Sequence, residues 1–422
     1  MPDKLQNDLI TPDIDRNKWR SISLFILAVA MLLSSLFLPR AFLSVSMIVF
    51  IFVSFLHRRV KEQFVVFARS PFLWSMSVLF LLPCISGLWS EDQRQWLDTL
   101  RIKLPLLLMP LAFVGFSGLA KRKFEYLAYV FILLVTLGTA WSMWQYLPDA
   151  ANVHEGYLRS TIIKTPLEND HVRFSWLVTI AIITAGWIWY QKNPKTFFHK
   201  WLLSSAITWL VIFLHILAAR TGLICFYICL AVIATRLILF QKKIFQGALL
   251  LMGLLLISIS AWLIFPTFQN RARYIFYELP YFKKMDYLEG ANDVNRIISL
   301  KAGWNVMNAS PLKGVGFGDI RYHTIEWYAA NYPQMKEADK ILPSSEWLIY
   351  GAGSGWPGFL IFSILMIIPF TLKEIKNRLP WFLISVTTCF TFLFDIGLEI
   401  QYGVFLYSFV MLWWWKWMSV DK

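Results

Sequence analysis

Charge is scarce in this chain. Only 16% of its 422 residues are Asp, Glu, Lys or Arg, while 57% are hydrophobic, against roughly 25% and 45–50% in average soluble domains. That balance excludes an ordinary soluble globule, which could not cover its own surface. Cysteine is scarcer still. The four present (Cys84, Cys225, Cys229, Cys389) all fall inside apolar runs, which argues against a disulfide framework. Cys225 and Cys229 stand one helical turn apart without His or further Cys beside them, and read as lipid-facing or core filler. Acidic residues number 26 against 40 basic ones, a net charge of +14. The basic residues sit in short clusters between apolar runs, as cytoplasmic loops do, so the excess speaks for a membrane and against nucleic acid. No small-residue cleavage site follows the first apolar run from Ser21, which is therefore expected to stay as a span. The halves 1–200 and 201–422 show no internal repeat of the kind that many transporters carry.

What abounds is uninterrupted apolar sequence. A bilayer core takes about 20 apolar residues of helix, and such runs stand near 21–38, 41–56, 72–89, 101–119, 125–147 and 172–190. Six more follow near 201–219, 221–240, 245–266, 347–370, 380–397 and 400–418. The expected fold is an all-α integral membrane protein with about 12 transmembrane helices and one long periplasmic loop containing short helices. Its organisation is nine spans over 1–266, the large outer loop over 267–346, and three spans over 347–422. Two nearly continuous stretches divide at Arg220-Thr221-Gly222 and Gly397-Leu398-Glu399. The Trp413–Trp415 run with Trp417 reads as an interfacial aromatic belt. With the N-terminus inside, Arg58, Arg59, Lys121, Arg122, Lys123, Lys192, Lys195, Lys242, Lys243, Lys373 and Lys376 all fall on alternate, cytoplasmic connections. Both termini are then cytoplasmic. Within 267–346, Asn292 or Asp293 can cap a helix running to about Ala309, Pro311 ends it, and Gly314, Gly316 and Gly318 make a tight turn.

Ionisable groups in or beside apolar spans are costly and usually face a polar cavity or a partner. Arg220, in Leu-Ala-Ala-Arg-Thr-Gly-Leu, lies between two apolar runs on the outer side with no acidic neighbour in sequence. It either snorkels to headgroups or faces an anionic ligand. Arg296 shares a helical face with Leu300, Gly303 and Met307. Arg173, in His-Val-Arg-Phe-Ser, opens a span on the outer side. Asp395 and Glu399 would face the same way if helix continued between them, and Glu91-Asp92 is the other acidic pair. Neither pair has the His or third carboxylate of a divalent site, so these carboxylates support a metal only weakly; none is expected at the site, and no cofactor. Gly-Val-Gly-Phe-Gly at 314–318 follows a helix, not a strand, and so reads as a plain turn and not a phosphate cradle. Together these residues describe a cationic, outward-facing pocket beside lipid, suited to a lipid-linked diphosphate because guanidinium binds phosphate bidentately.

Several stretches resemble the O-antigen ligase and polymerase superfamily of bacterial inner-membrane glycosyltransferases. They are Ala-Ala-Arg-Thr-Gly-Leu at 218–223, Asn-Arg-Ile-Ile-Ser-Leu-Lys-Ala-Gly-Trp at 295–304, Pro-Leu-Lys-Gly-Val-Gly-Phe-Gly-Asp at 311–319, and Pro-Ser-Ser-Glu-Trp-Leu onward from 343 to 359. His-Val-Arg-Phe-Ser at 171–175 looks most like Bacteroidetes-type O-antigen ligase family proteins. The resemblance implies a metal-independent, inverting transfer of a glycan from undecaprenyl diphosphate to a hydroxyl, within the lipid bilayer of the inner membrane. Lipid A–core is the acceptor in ligases, another lipid-linked repeat in polymerases, and a protein Ser or Thr in related oligosaccharyltransferases. By motif, Arg220 and Arg296 would hold the donor diphosphate, with Arg173 as a further donor-binding candidate. One departure stands out: the family's basic histidine is replaced by Ser344. Glu346 and His323 are then the candidates to receive the acceptor proton, with Ser344 itself retained as a site residue. The rival from another class is an envelope glycolipid transporter.

Overall fold

The computed structural model describes residues 2–56, 60–115, 121–159, 161–191 and 197–419, and the side chains of these except 2–18, 121 and 197. Several basic residues that set the expected orientation, among them Arg58, Arg59, Lys192 and Lys195, lie outside the described residues. The described residues are helical, with no strand among them. The first half runs through α1 (Pro2–Phe37), α2 (Arg40–Phe55), α3 (Val60–Arg69), α4 (Pro71–Ser86), α5 (Gln93–Val114) and α6 (Lys121–Tyr146). Three short or site-bearing elements follow: α7 (Ala150–Gly156), the turn α8 (Pro166–Asn169) and α9 (His171–Gln191). Next come α10 (Phe197–Leu217), α11 (Arg220–Thr235), α12 (Ile244–Ile264), α13 (Pro266–Lys284), α14 (Asp293–Ala309) and α15 (Ile320–Asn331). The chain closes with α16 (Glu346–Thr371), α17 (Arg378–Phe394) and α18 (Gln401–Ser419).

Seven helices among the described residues are long and apolar enough to cross a bilayer, or up to 8 if the bent pair α2–α3 is one span. Twelve runs were expected, and the difference has physical causes. The helices α4 and α17 are apolar but only 16 and 17 residues long. All of the charge of α5 (Arg94, Asp98, Arg101, Lys103) falls in its first half, and Pro105 and Pro110 lie within its second. The helix α12 wears its apolar residues outward, with Leu249, Met252, Leu255, Leu256, Ile259 and Leu263 exposed. Such a face is stable only against hydrocarbon.

The tryptophans of α18 depart from the expected interfacial belt. Trp413, Trp414 and Trp417 are fully buried, Trp413 stacked on Trp417 at 5.9 Å and packed edge-on against Phe131. Helix α18 packs along α5 in the middle of the bundle, so these indoles fill its core.

The segment 267–346 is folded, as its local signals indicate. Helix α14 spans Asp293–Ala309, matching the expected bounds. A small second core of Val294, Ile298, Ala302, Tyr328, Tyr332 and Met335 joins α14 to α15. The glycine turn docks on α16: the N–H of Val315 donates to Ala352 O at 2.8 Å and that of Gly316 to Gly353 O at 3.1 Å. The next two N–H groups, of Phe317 and Gly318, go to Ser86 Oγ and Ser90 Oγ. With these four donors engaged, the turn cannot cradle phosphate. Gly316 needs its φ of +93° and sits against Ser90, where a Cβ would come within 2.3 Å of Oγ.

The turn α8 holds three successive left-handed residues: Leu167 (φ 60°), Glu168 (54°) and Asn169 (69°). That conformation costs an L-residue roughly 1–2 kcal/mol. It is held by the burial of Leu167, by the Arg40–Glu168 ion pair at 2.8 Å and by Tyr402 Oη donating to Glu168 Oε1 at 3.2 Å.

Candidate functional site

Three helix N-termini converge on one cavity. The break between α10 and α11 falls at Ala218, whose positive φ of 48° turns the chain so that Arg220 becomes the first residue of α11. Gly222 lets α11 lie directly on α9, since a Cβ there would meet Ser175 Cβ at 2.5 Å. Its own N–H donates to Ser175 Oγ at 3.1 Å. Helix α9 begins at His171, and α14 at Asp293. A cavity of about 70 Å³ between them is lined by His171, Arg220, Arg271, Asn292, Asp293 and Arg296, with Val172, Thr221 and apolar neighbours. Positive helix ends and guanidinium groups act in the same sense, drawing an anion.

Arg271 is the member that sequence reasoning did not find. It lies on α13, which is fastened just before it: Thr267 Oγ1 donates to Ile216 O at 2.6 Å and Asn270 Nδ2 to His154 O at 2.8 Å. Its guanidinium lies over the Tyr274 ring at 5.8 Å. Burial pushes this guanidinium below its ordinary pKa and Arg296 adds to the push, while Tyr157, Glu278 and Tyr274 oppose it. Nothing in the local sequence, Gln-Asn-Arg-Ala-Arg, distinguishes Arg271 from an ordinary loop arginine. Only the packing of α13 brings it here.

The cavity has one carboxylate for three guanidinium groups. Arg220 is ion-paired to Asp293. The other nearby acid, Glu278, is fully buried and spent on the start of α14, accepting from the N–H groups of Asn292 (3.2 Å), Asp293 (3.0 Å) and Val294 (3.3 Å). Arg220 Nε and Nη2 and Arg271 Nε and Nη1 are buried with no hydrogen-bond partner among the described residues. Arg296 Nη1 donates only a long bond, 3.4 Å, to Phe394 O. Buried donors are ordinarily satisfied, so this set is waiting for acceptors.

Arg173 is not in the cavity wall. It is buried and held between Asp170 at 2.9 Å and Asp395 at 2.7 Å. The helical continuation that would have paired Asp395 with Glu399 does not exist: α17 ends at Phe394 and a tight turn covers Gly397–Glu399. Asp395 therefore turns to Arg173, and Glu399 turns the other way to Lys103, at 2.5 Å. Lys103 is fully buried. It also donates to Leu398 O at 3.1 Å and lies over the Tyr350 ring at 5.0 Å.

Glu346 and His323, the candidates for the acceptor proton, and Ser344, the site residue beside them, lie elsewhere. Glu346 is sealed in the interior, its Oε1 accepting from Leu398 N at 2.5 Å and its Oε2 buried without a partner among the described residues. Ser344 is tied to Ser299: it accepts from that Oγ at 3.0 Å, and its N–H donates back to it at 3.1 Å. His323 is part-exposed on α15 and pairs with Glu326 at 3.3 Å. None of the three lines the cavity.

Arg296 and Glu346 nonetheless belong to one assembly through the corner 394–400. Arg296 reaches Phe394, Arg173 holds Asp395, Glu346 holds Leu398 and Lys103 holds Glu399. Among the described residues no group of three or more His, Cys, Asp or Glu is arranged to hold a metal ion.

Residues 206–363 match the family model described as O-Antigen ligase. The matched stretch contains Arg220, Arg271, Asp293 and Arg296, and ends within α16. No curated protein matches the chain.

Proposed function

We propose that this chain, a member of the O-antigen ligase superfamily through residues 206–363, moves a glycan from undecaprenyl diphosphate to a hydroxyl of lipid A–core at the periplasmic face of the bacterial inner membrane. The observation that carries this reading is the cavity in which Arg220, Arg271 and Arg296 meet at three helix N-termini with buried, unclaimed N–H donors. A diphosphate supplies the acceptors these donors lack. Its charge grows as the bond to the sugar breaks, and preorganised donors aimed at developing charge are usually the largest catalytic term. On this reading the guanidinium groups neutralise the leaving group without a metal, and an acceptor hydroxyl attacks the sugar from the opposite side, inverting it. Arg173 serves from behind, fixing Asp395 and with it the corner against which Arg296 rests.

Deleting the gene and profiling envelope glycans tests the assignment. Loss of long-chain lipopolysaccharide with accumulation of full-length polyprenyl-linked glycan supports ligation. Single repeats attached to core point to polymerisation instead, and loss of glycan from protein alone points to an oligosaccharyltransferase. An unchanged envelope with unchanged lipid-linked pools overturns the reading.

A further inference from the structure

We propose that His171 is the group that takes the acceptor's proton in this cavity, an inference that rests on the transferase reading above. As the acceptor oxygen bonds to the sugar carbon, its proton must leave, and a base has to stand within reach of that oxygen, across the sugar carbon from the departing diphosphate. Glu346, Ser344 and His323 are absent from the cavity wall. His171 is in it, with Arg220, Arg271 and Arg296.

The local structure prepares the imidazole for this task. His171 opens α9, and two residues before it Asn169 ends the left-handed run 167–169. The Arg40 ion pair and the Tyr402 bond to Glu168 clamp that run from two other helices. Strain of this kind, fixed from outside, tends to gather at functional sites. The charges that face His171 are Asp170 next to it, Arg271 of α13 and Arg296 of α14, with Arg220 and Asp293 in the remaining wall.

The step balances without a co-reactant. The acceptor O–H gives its proton to the imidazole as its oxygen forms the new bond to the sugar carbon. The bond from that carbon to the diphosphate oxygen breaks, and its electron pair leaves on the diphosphate among the arginines. The imidazolium then returns the proton to the departing diphosphate or to water.

His171 could instead donate a hydrogen bond to phosphate, and two measurements on full-length protein separate the roles. Transfer is followed in membranes of the deletion strain, which hold their own lipid-linked glycan and acceptor, with wild type, His171→Gln and His171→Ala at matched protein level. Binding of inorganic pyrophosphate is measured on the same proteins purified in nanodiscs, alongside Arg220→Ala, with thermal melting as the check on folding. We expect both His171 variants to melt like wild type, to bind pyrophosphate within about twofold of it, and to lose transfer by roughly 10²–10⁴, the usual contribution of a positioned base. Transfer retained within a few fold overturns the proposal. A parallel loss of pyrophosphate affinity also overturns it, making His171 a phosphate ligand. If Arg220→Ala binds pyrophosphate like wild type, it is the donor site, and with it the transferase reading, that fails.

Discussion

Glu278 offers the sharpest test of how the cavity is built. Its carboxylate, fully buried on α13, accepts from three consecutive N–H groups at the start of α14, and that start carries Asp293 and, one turn on, Arg296. Glu278→Ala removes both acceptor oxygens and leaves the three donors behind. An N-cap is worth about 0.5–2 kcal/mol, and an orphaned buried donor about 1–3 kcal/mol. Part of the loss is recovered by water entering the space, so a net of about 2–4 kcal/mol is a reasonable total for the first turn. At 1.4 kcal/mol per factor of ten, amide exchange at 292–296 should speed up by roughly 30- to 1000-fold. The amides in the middle of α16 should be unchanged. Glu278→Gln keeps one acceptor oxygen and should lie between. Hydrogen exchange read by mass spectrometry on nanodisc-embedded protein gives the answer peptide by peptide. Unchanged exchange at 292–296 in Glu278→Ala would refute the cap, and with it the claim that α13 sets the position of Arg296.

Three further outcomes follow from the same geometry. Arg271→Ala should weaken inorganic pyrophosphate binding about ten- to a hundredfold, the worth of a charge-assisted hydrogen bond, and Arg271→Lys should recover only part of it because the fork is lost; calorimetric titration measures both. Lys103→Met leaves the part-buried Glu399 and the buried Glu346 without their cation and should cost about 3–5 kcal/mol, seen as loss of folded protein on size exclusion. Adding Glu399→Gln should restore part of that yield, whereas additive losses would show the two groups uncoupled. Gly222→Ala forces a methyl into Ser175, so it should lower stability by about 1–3 kcal/mol and weaken pyrophosphate binding by displacing Arg220, as melting and titration would show.

Much of this was legible in the residues, and the parts that were not share a cause. Arg220 stands out because a lone arginine between apolar runs is costly, and Arg296 because it sits in a short motif on the loop helix. The bounds of α14 follow from Asn292, Asp293 and Pro311, which act within one turn of themselves. Arg271 and Lys103 carry no such mark: each gains its role from a helix distant in sequence, α9 and α11 for Arg271 and the 394–400 corner for Lys103. His171 lay inside a motif that drew attention to Arg173, and the structure exchanges their places, with His171 in the wall and Arg173 behind it. Glu346 was a candidate for the acceptor proton by its place beside Ser344, and nothing next to it in sequence marks it as sealed in the interior. Its burial comes from Leu398 folding over it. The tryptophans of α18 misled for a similar reason, since composition at a helix end resembles a belt whether the indoles meet lipid or each other.

The most direct test of the central claim is a cryo-EM structure of the full-length protein in nanodiscs with added undecaprenyl diphosphate. The account predicts diphosphate density in the cavity, within hydrogen-bond reach of Arg220, Arg271 and Arg296, with the polyprenyl tail running into the bilayer. Diphosphate density seated elsewhere, with the three guanidinium groups unengaged, would contradict it.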